Sequence, residues 1–463
     1  MKIWQRLIAV LPLLLGIAGF VVAVRNETND ESAVQVEDVD AVIGNSRFCP
    51  GIPGGDLADG GWLTIGNTAD VSAEARITWL TEDGQENAVA TVDARSSTVV
   101  RVEDESTIVA AVVEMNVPGS IVEQHSESEA GTIRTLCTDR TATEWFFADG
   151  FTASDSNAQI VLTNPYADAA IVDVSYSTIA GRQRPNAYQG YVIPAETVRI
   201  LDLAEVGARN EQLVSVQIAA STGRVIAGRV QRYRGSGRQG LGVSLGVTRA
   251  AGDWWFGFGD TTDNTAEQLV VFNPGDKPAS VEITVVGYKP KTAVVQPFSI
   301  EVGAGTSAVI DMNGVTGLPR STHAISVVAS GDAQVVVERV INVINASGQI
   351  ATTVSSPIAQ NALAKVWEVA RSRPGERIAV INVTGTKTTF TVSSFGPAGE
   401  APLEGMDEIT LAPGASALLT IPDPAPGGPV RITAGVNVVV EYLASRGEGR
   451  IGYSAALAQP VTQ

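Results

Sequence analysis

The stretch WFFADG (residues 145–150), followed by IVLTNP (160–165), has a close counterpart in WWFGFG (254–259), followed by LVVFNP (269–274). In both copies the Asn of the Asn-Pro pair lies 19 positions after the first Trp. A fainter copy runs from Trp367 to Asn382, and another lies earlier in the chain, around Asn67. The equivalent asparagines stand at positions 67, 164, 273 and 382, spaced 97, 109 and 109 residues apart, so the chain repeats one unit four times.

The repeated unit has the pattern of short antiparallel strands. Its apolar segments are rich in Val, Ile and Thr and end at Gly, Pro, Asn or Asp, as half-buried strands do. Asn-Pro ends a strand because Asn bonds to the local backbone and Pro cannot donate to a ladder. We therefore predict an all-β protein of four tandem immunoglobulin-like β-sandwich domains, arranged as a rod. The predicted domains are residues 46–140, 141–250, 251–360 and 361–463.

The N-terminus predicts export. Lys2 and Arg6 precede an uncharged apolar run at residues 7–24, which has the order of a signal sequence. Its 18 residues would span about 27 Å as a helix, enough to cross a bilayer. We predict a signal anchor or a cleaved signal peptide at residues 1–25, and an acidic flexible stalk at 26–45. The body is then extracytoplasmic, attached to the cytoplasmic membrane by the N-terminal helix or, if the signal is cleaved, secreted.

Composition supports this compartment and excludes one class of partner. The net charge of −18 argues against nucleic acid, because phosphate binding needs a concentrated positive surface. The chain has two cysteines, Cys49 and Cys137, and in an oxidising compartment we expect them to form a disulfide. Their separation of 88 residues matches the two ends of the first predicted domain.

The sequence offers little material for a catalytic or metal site. It has two histidines, His125 and His323, which lie in different repeats. The GSGRQG stretch (235–240) fits a dinucleotide-binding pattern, but a strand follows it where that pattern needs a helix, so we interpret it as a hairpin turn. We predict no catalytic residues, no metal and no cofactor.

Two residue groups are candidate binding surfaces. Tryptophans at the openings of the repeats would either stack on sugars or pack the domain core. An arginine cluster in one strand and its turn would either be solvated at a sheet edge or bind anions. The tryptophans are Trp145, Trp254, Trp255 and Trp367, and the candidate anion patch is Arg229, Arg232, Arg234 and Arg238.

The WFFADG and WWFGFG openings, the Asn-Pro strand ends and the Pro-Ala or Gly-Ala turns resemble an uncharacterised actinobacterial family of cell-envelope proteins, known as a domain of unknown function. The resemblance implies a cell-envelope location and no active residues. We expect a non-enzymatic scaffold or interaction protein, accessory to cell-wall polysaccharide assembly, whose partner is an envelope protein or glycan. The alternatives are a carbohydrate-binding protein that uses the repeated tryptophans, and a hydrolase with a cross-domain site.

Overall fold

The computed structural model describes residues 41–42, 45–103, 106–287, 295–359, 362–425 and 427–461. These residues form antiparallel sheets almost throughout, which confirms the predicted all-β class. Short 3-10 helices occur at Asn186–Tyr188 and Met312–Gly314. None of the helices in the described ranges has the length and apolar character needed to cross a membrane. The predicted signal segment at 1–25 and residues 26–40 of the predicted stalk lie outside the described residues.

The first sheet pair encloses a core that includes Leu63, Ile77 and Val113. Its two sheets have the strand orders β2-β7-β4-β5 and β6-β3-β8-β9, and β1 pairs with β10 beside them. The strands are β1 (Ala41–Val42), β2 (Ser46–Phe48), β3 (Gly61–Asn67), β4 (Ala73–Leu80), β5 (Gln85–Val92), β6 (Ser96–Arg101), β7 (Ala110–Met115), β8 (Ser120–Ser126), β9 (Ile133–Leu136) and β10 (Arg140–Thr141).

The second sheet pair repeats this arrangement around Trp145, Val174 and Ile218. One sheet is β11-β17-β13, with β14 and β15 both pairing with β13, and the other is β16-β12-β18-β19. The strands are β11 (Glu144–Gly150), β12 (Asn157–Asn164), β13 (Ala170–Thr178), β14 (Gly181–Gln183), β15 (Tyr191–Ile193), β16 (Thr197–Asp202), β17 (Val214–Thr222), β18 (Ile226–Tyr233) and β19 (Gly240–Leu245).

The third sheet pair has the orders β23-β22-β25-β20-β28 and β24-β21-β26-β27. Its core includes Trp254, Ile283 and Val327. The strands are β20 (Asp253–Asp260), β21 (Thr265–Phe272), β22 (Ala279–Gly287), β23 (Phe298–Val302), β24 (Ser307–Asp311), β25 (Thr322–Ala329), β26 (Val336–Ile344), β27 (Ile350–Ser355) and β28 (Ile358–Ala359).

The fourth sheet pair differs because β35 is one continuous strand of 16 residues that belongs to both layers. Its first part pairs with β29 and β31, and its second part pairs with β30 and β36. The strands are β29 (Ala364–Val369), β30 (Arg377–Ile381), β31 (Thr388–Gly396), β32 (Gly399–Pro402), β33 (Ile409–Leu411), β34 (Ser416–Thr420), β35 (Val430–Ser445), β36 (Tyr453–Leu457) and β37 (Gln459–Pro460).

The repeated asparagines hold the same turn in all four sheet pairs. In the third, Nδ2 of Asn273 donates to the carbonyls of Lys277 (2.7 Å) and Val302 (3.1 Å), while its Oδ1 accepts from the amide of Gly275 (3.0 Å). The side chain thereby joins the end of β21 to the turn before β24. Asn67, Asn164 and Asn382 make the corresponding bonds. A buried amide that satisfies several backbone groups explains why this position repeats.

The four sheet pairs close into a ring instead of the expected open rod. Their last strands, β9, β19, β27 and β36, lie against one another, and we call them the axial strands. Side-chain hydroxyls link each neighbouring pair, including the first and the last. The bonds are Thr135 Oγ1 to Val243 O (2.9 Å), Gln239 N to Thr352 Oγ1 (2.9 Å), Thr353 Oγ1 to Tyr453 O, and Ser454 Oγ to Arg134 O (3.1 Å). Closure covers strand edges that an open row would expose at both ends.

Candidate functional site

The aromatic openings of the second and third sheet pairs are bulged strands, and in each a free amide is bound by the next sheet pair. The ladder of β11 with β17 shifts register between Phe147 and Gly150, and that of β20 with β25 shifts between Phe256 and Gly259. Such a bulge leaves backbone N–H groups without a ladder partner. The amide of Asp149 donates to Glu338 (2.5 Å), and the amide of Phe258 donates to Glu441 (3.0 Å).

An arginine completes each of these junctions. Arg229 pairs with Glu338 at 2.9 Å, and Arg339 pairs with Glu441 at 2.5 Å, with all four side chains buried. These ion pairs join the second sheet pair to the third, and the third to the fourth.

The junction between the fourth and the first sheet pairs uses the same elements in another arrangement. Glu123 of β8 accepts from the amide of Ala370 (2.9 Å) and pairs with Arg134 of its own sheet. The ring of Tyr442 lies under that guanidinium, 4.4 Å from it.

The remaining junction has no such glutamate. Gly228 stands at the equivalent position of β18, and a β-carbon there would lie 2.0 Å from the carbonyl oxygen of Pro50. The backbones of the first and second sheet pairs therefore meet directly, and only glycine fits between them.

The arginine cluster does not form one anion-binding surface. Arg229 and Arg238 are buried, and Arg238 forms an ion pair with Asp149 at 2.7 Å. Arg232 is half-buried and bonds to the carbonyl of Asp56, while Arg234 is exposed. The edge-strand interpretation is also wrong, because β18 lies between β12 and β19 in its sheet. The GSGRQG stretch is the turn that joins β18 to β19.

The tryptophans are not exposed platforms for sugars. Trp145, Trp254 and Trp367 are at most 2% exposed, and their indole Nε1 atoms donate to the carbonyls of Val225, Val335 and Ala364. Trp255 is half-buried and packs against the core of the fourth sheet pair. Large rings at these positions therefore fill cores and junctions.

The cysteines and histidines also occupy structural positions. Cys49 and Cys137 form the predicted disulfide, with Sγ atoms 2.01 Å apart. His125 stacks on Trp62, and burial lowers its pKa well below the usual value, as do nearby arginines. His323 is buried beside Glu267, with 3.0 Å between Nε2 and the carboxylate. The residues that the structure describes contain no group of His, Cys, Asp and Glu that could hold a metal.

A largely apolar cavity of about 260 Å³ opens at one end of the axial strands, and we call it the apolar axial cavity. All four sheet pairs contribute to its wall, and Trp145 and Trp254 reach it from their cores. The charged residues that border it are Arg134, Asp139, Arg140 and Arg249. The main apolar contributors are Leu136, Val243, Leu245, Val354, Ile358, Ala456 and Leu457.

A second cavity, of about 510 Å³, lies at the other end of the axial strands, and we call it the polar axial cavity. It is lined by the residues that precede and begin β19 and β27, by residues that precede β36, and by the loop before β9. Its charged side chains are Asp56, Asp59, Glu129, Arg232, Arg234 and Arg450. The four axial strands therefore run in the same direction, from the polar cavity to the apolar one.

Residues 100–422 match the "Family of unknown function (DUF5719)". The chain belongs to this family. The match covers most of the ring and agrees with the family of unknown function that the sequence motifs indicated. The family's description names no activity, and no curated protein matches the chain.

Among solved structures, the chain is similar to an α-L-rhamnosidase of Streptomyces avermitilis, determined as a complex with L-rhamnose. The two are 9% identical, with a TM-score of 0.14, and the similarity covers 84% of this chain and 55% of the rhamnosidase. The chain thus spans about half the length of that enzyme. Similarity at this level supports no conclusion about activity.

The sequence contains a signal for the junction glutamates. Glu123, Glu338 and Glu441 follow apolar runs at equivalent positions of the repeats. A charged residue repeated inside a buried strand indicates a buried partner. The axial cavities gave no signal, because their walls combine short segments from all four repeats.

Proposed function

We propose that this chain is a non-enzymatic scaffold of the cell envelope that binds an apolar group of a partner in the apolar axial cavity. The four sheet pairs would be immunoglobulin-like domains with the boundaries predicted above. The N-terminal segment would anchor them to the cytoplasmic membrane, with the body outside the cytoplasm. In this role the protein would assist the assembly of cell-wall polysaccharide.

The observation that carries the proposal is the position of the apolar cavity. Ligand sites are typically concave and mostly apolar, with a few polar groups that fix orientation. Here the wall exists only when all four sheet pairs are assembled, and four charged residues border it. An apolar group with a polar or anionic end would fit this combination.

One feature supports the location outside the cytoplasm. The Cys49–Cys137 disulfide is typical of proteins in that compartment.

The two alternatives have weaker support. A carbohydrate-binding protein would need exposed aromatic faces, and three of the four candidate tryptophans are buried. A hydrolase would need an acid and a base that converge on an accessible cleft. The buried carboxylates at the junctions do not form such a cleft. Glu338, for example, is buried in an ion pair with Arg229.

Site-specific photo-crosslinking tests the proposal. A photoreactive amino acid replaces Ala456, which borders the cavity. The full-length chain is expressed in its native cells, so that it meets its own envelope components. We expect crosslinks to one envelope component, identified by mass spectrometry together with the N-terminal peptide. The same substitution at exposed Ala412 is the control. Identical products at both positions, or none at position 456, would contradict the proposal, and loss of residues 1–24 from the mature protein would indicate a secreted form.

A further inference from the structure

Arg446 is a buried cation without an anionic partner. The residue directly follows β35 in the sequence, and it is 1% exposed. Nε donates to the carbonyl of Tyr453 (3.1 Å), and Nη2 donates to the carbonyl of Thr352 (2.5 Å) and to Thr353 Oγ1 (3.2 Å). Nη1 has no hydrogen-bond partner among the described residues. Each of the other buried arginines at the junctions, such as Arg229 and Arg339, pairs with a carboxylate.

The free edge of this guanidinium lies against the wall of the polar axial cavity. A β-carbon placed on Gly240 would lie 3.5 Å from Nη1 and 3.2 Å from Cβ of Ala130. On the other side, a β-carbon on Gly452 would lie 3.7 Å from Nε and 2.9 Å from Cβ of Ala351. Gly240, Ala130 and Ala351 all line the polar cavity. Arg446 does not itself line the cavity, and the small residues Gly240 and Ala130 lie between Nη1 and the cavity.

A second buried donor lies beside the same cavity. Tyr233 lines the polar cavity and is 2% exposed, and its hydroxyl has no partner in the part of the chain that the structure describes. Burial raises the pKa of this phenol, so it stays protonated and can donate a hydrogen bond. Buried polar atoms normally have partners, and two unpartnered donors beside one cavity indicate a missing acceptor.

The charge of Arg446 indicates what that acceptor is. Burial lowers the pKa of Arg446 to about 10, so the side chain is still a cation at neutral pH. An isolated charge in a protein interior is strongly unfavourable unless an opposite charge accompanies it. Guanidinium groups bind carboxylates and phosphates in particular, because their N–H groups match the spacing of the oxygen atoms.

We propose that the polar axial cavity binds the oxyanion group of a small polar ligand, which reaches Nη1 of Arg446 and the hydroxyl of Tyr233 past the small residues Gly240 and Ala130. The acids Asp56, Asp59 and Glu129 and the arginines Arg232, Arg234 and Arg450 balance one another around the cavity. The unpaired positive charge of Arg446 therefore favours a ligand with a negative charge. The site lies at the opposite end of the axial strands from the apolar cavity and does not depend on the function proposed for it.

Isothermal titration calorimetry with sodium phosphate and with sodium acetate, at constant ionic strength, tests this site in the full-length protein. Sodium chloride is the reference for non-specific anion effects. We expect saturable binding of at least one of the two oxyanions and a higher melting temperature in its presence. Phosphate alone would identify a phosphoryl ligand, and acetate alone would identify a carboxylate ligand. Absence of binding of both beyond the chloride reference would overturn the proposal.

Two variants show whether the binding occurs at this site. Arg446→Met should abolish the oxyanion-dependent rise in melting temperature, and Tyr233→Phe should weaken binding about three- to tenfold, as expected for one lost hydrogen bond. Tyr233→Phe keeps the ring and remains informative if Arg446→Met fails to fold. Arg450→Met, at an exposed position bordering the same cavity, is the matched control. Undiminished binding in both Arg446→Met and Tyr233→Phe would refute the assignment.

Discussion

At the scale of single residues, the charges buried between neighbouring sheet pairs decide how those pairs fit together. Glu441 accepts from the amide of Phe258 and binds Arg339, so one carboxylate satisfies a bulged backbone and a buried guanidinium at once. Such pairs contribute little net stability, but removing one partner leaves the other charge buried and uncompensated.

We therefore expect Glu441→Gln to lower the free energy of unfolding by about 3–5 kcal/mol, because Arg339 would remain buried without its counter-charge. Urea denaturation monitored by circular dichroism measures the change. The matched control is Glu74→Gln, which removes the exposed Arg76–Glu74 pair, whose side chains are 73% and 50% accessible. Exposed pairs contribute about 0–1 kcal/mol, so equal effects of the two substitutions would contradict the role assigned to the junction pair.

The two histidines should titrate in opposite directions from the usual value near 6.5. Burial, assisted by Arg134, lowers the pKa of His125. Burial also disfavours the charged form of His323, but the carboxylate of Glu267 outweighs this effect and raises the pKa. Two imidazole signals in a pH titration by NMR, assigned with His125→Gln and His323→Gln, would test this. The prediction is wrong if both signals titrate together near 6.5.

The same shifts give the sign of the effect on stability. The contribution of His323 is fully present below about pH 6.5 and is lost as the pH rises through its raised folded-state pKa. His323→Gln should therefore destabilise the protein more at pH 5.5 than at pH 9. Below about pH 6.5 the imidazole of His125 takes up a proton in the unfolded chain but stays neutral in the folded protein. The free energy of unfolding therefore falls as the pH falls through this range. His125→Gln should accordingly reduce the acid sensitivity of unfolding.

At the scale of elements, the strand ends were predictable because one asparagine repeats the same local chemistry four times. The sequence indicated that Asn-Pro ends a strand, and the structure shows that the side chain also binds the carbonyl of Val302, 29 residues away. The arginine cluster was misinterpreted at this scale. Sequence order does not show which strands lie at the edge of a sheet, and β18 proved to be internal.

Asn273→Ala should lower the free energy of unfolding by about 2–4 kcal/mol, because it removes three hydrogen bonds and leaves two carbonyls without their donor. Asn345 has a similar local bond, from the amide of Ser347 to its Oδ1 (3.0 Å), but in an exposed turn. Asn345→Ala should have a much smaller effect. Differential scanning calorimetry of both variants checks the comparison, and similar changes in the two would show that the long-range bonds contribute little.

At the scale of the whole molecule, the sequence predicted repetition but gave no sign of closure. A repeated sequence predicts contacts between consecutive repeats only. In the structure, the axial strand β9 of the first sheet pair also lies against β36 of the fourth. The tryptophans were compatible with either core packing or sugar stacking, and only burial decided between them. Both axial cavities depend on closure, so no single repeat contains them.

Closure makes the first and last sheet pairs depend on each other. Ser454 Oγ accepts from the amide of Arg134 (2.9 Å) and donates to its carbonyl (3.1 Å), across 320 residues of sequence. Ser454→Ala should lower the free energy of unfolding by about 1–3 kcal/mol, because a buried amide loses its acceptor. Hydrogen exchange followed by mass spectrometry should then show faster exchange in both β9 and β36, while Ser347→Ala, in an exposed turn, should change neither. An open row of domains predicts a different outcome, in which faster exchange is confined to the fourth sheet pair and the first keeps its protection.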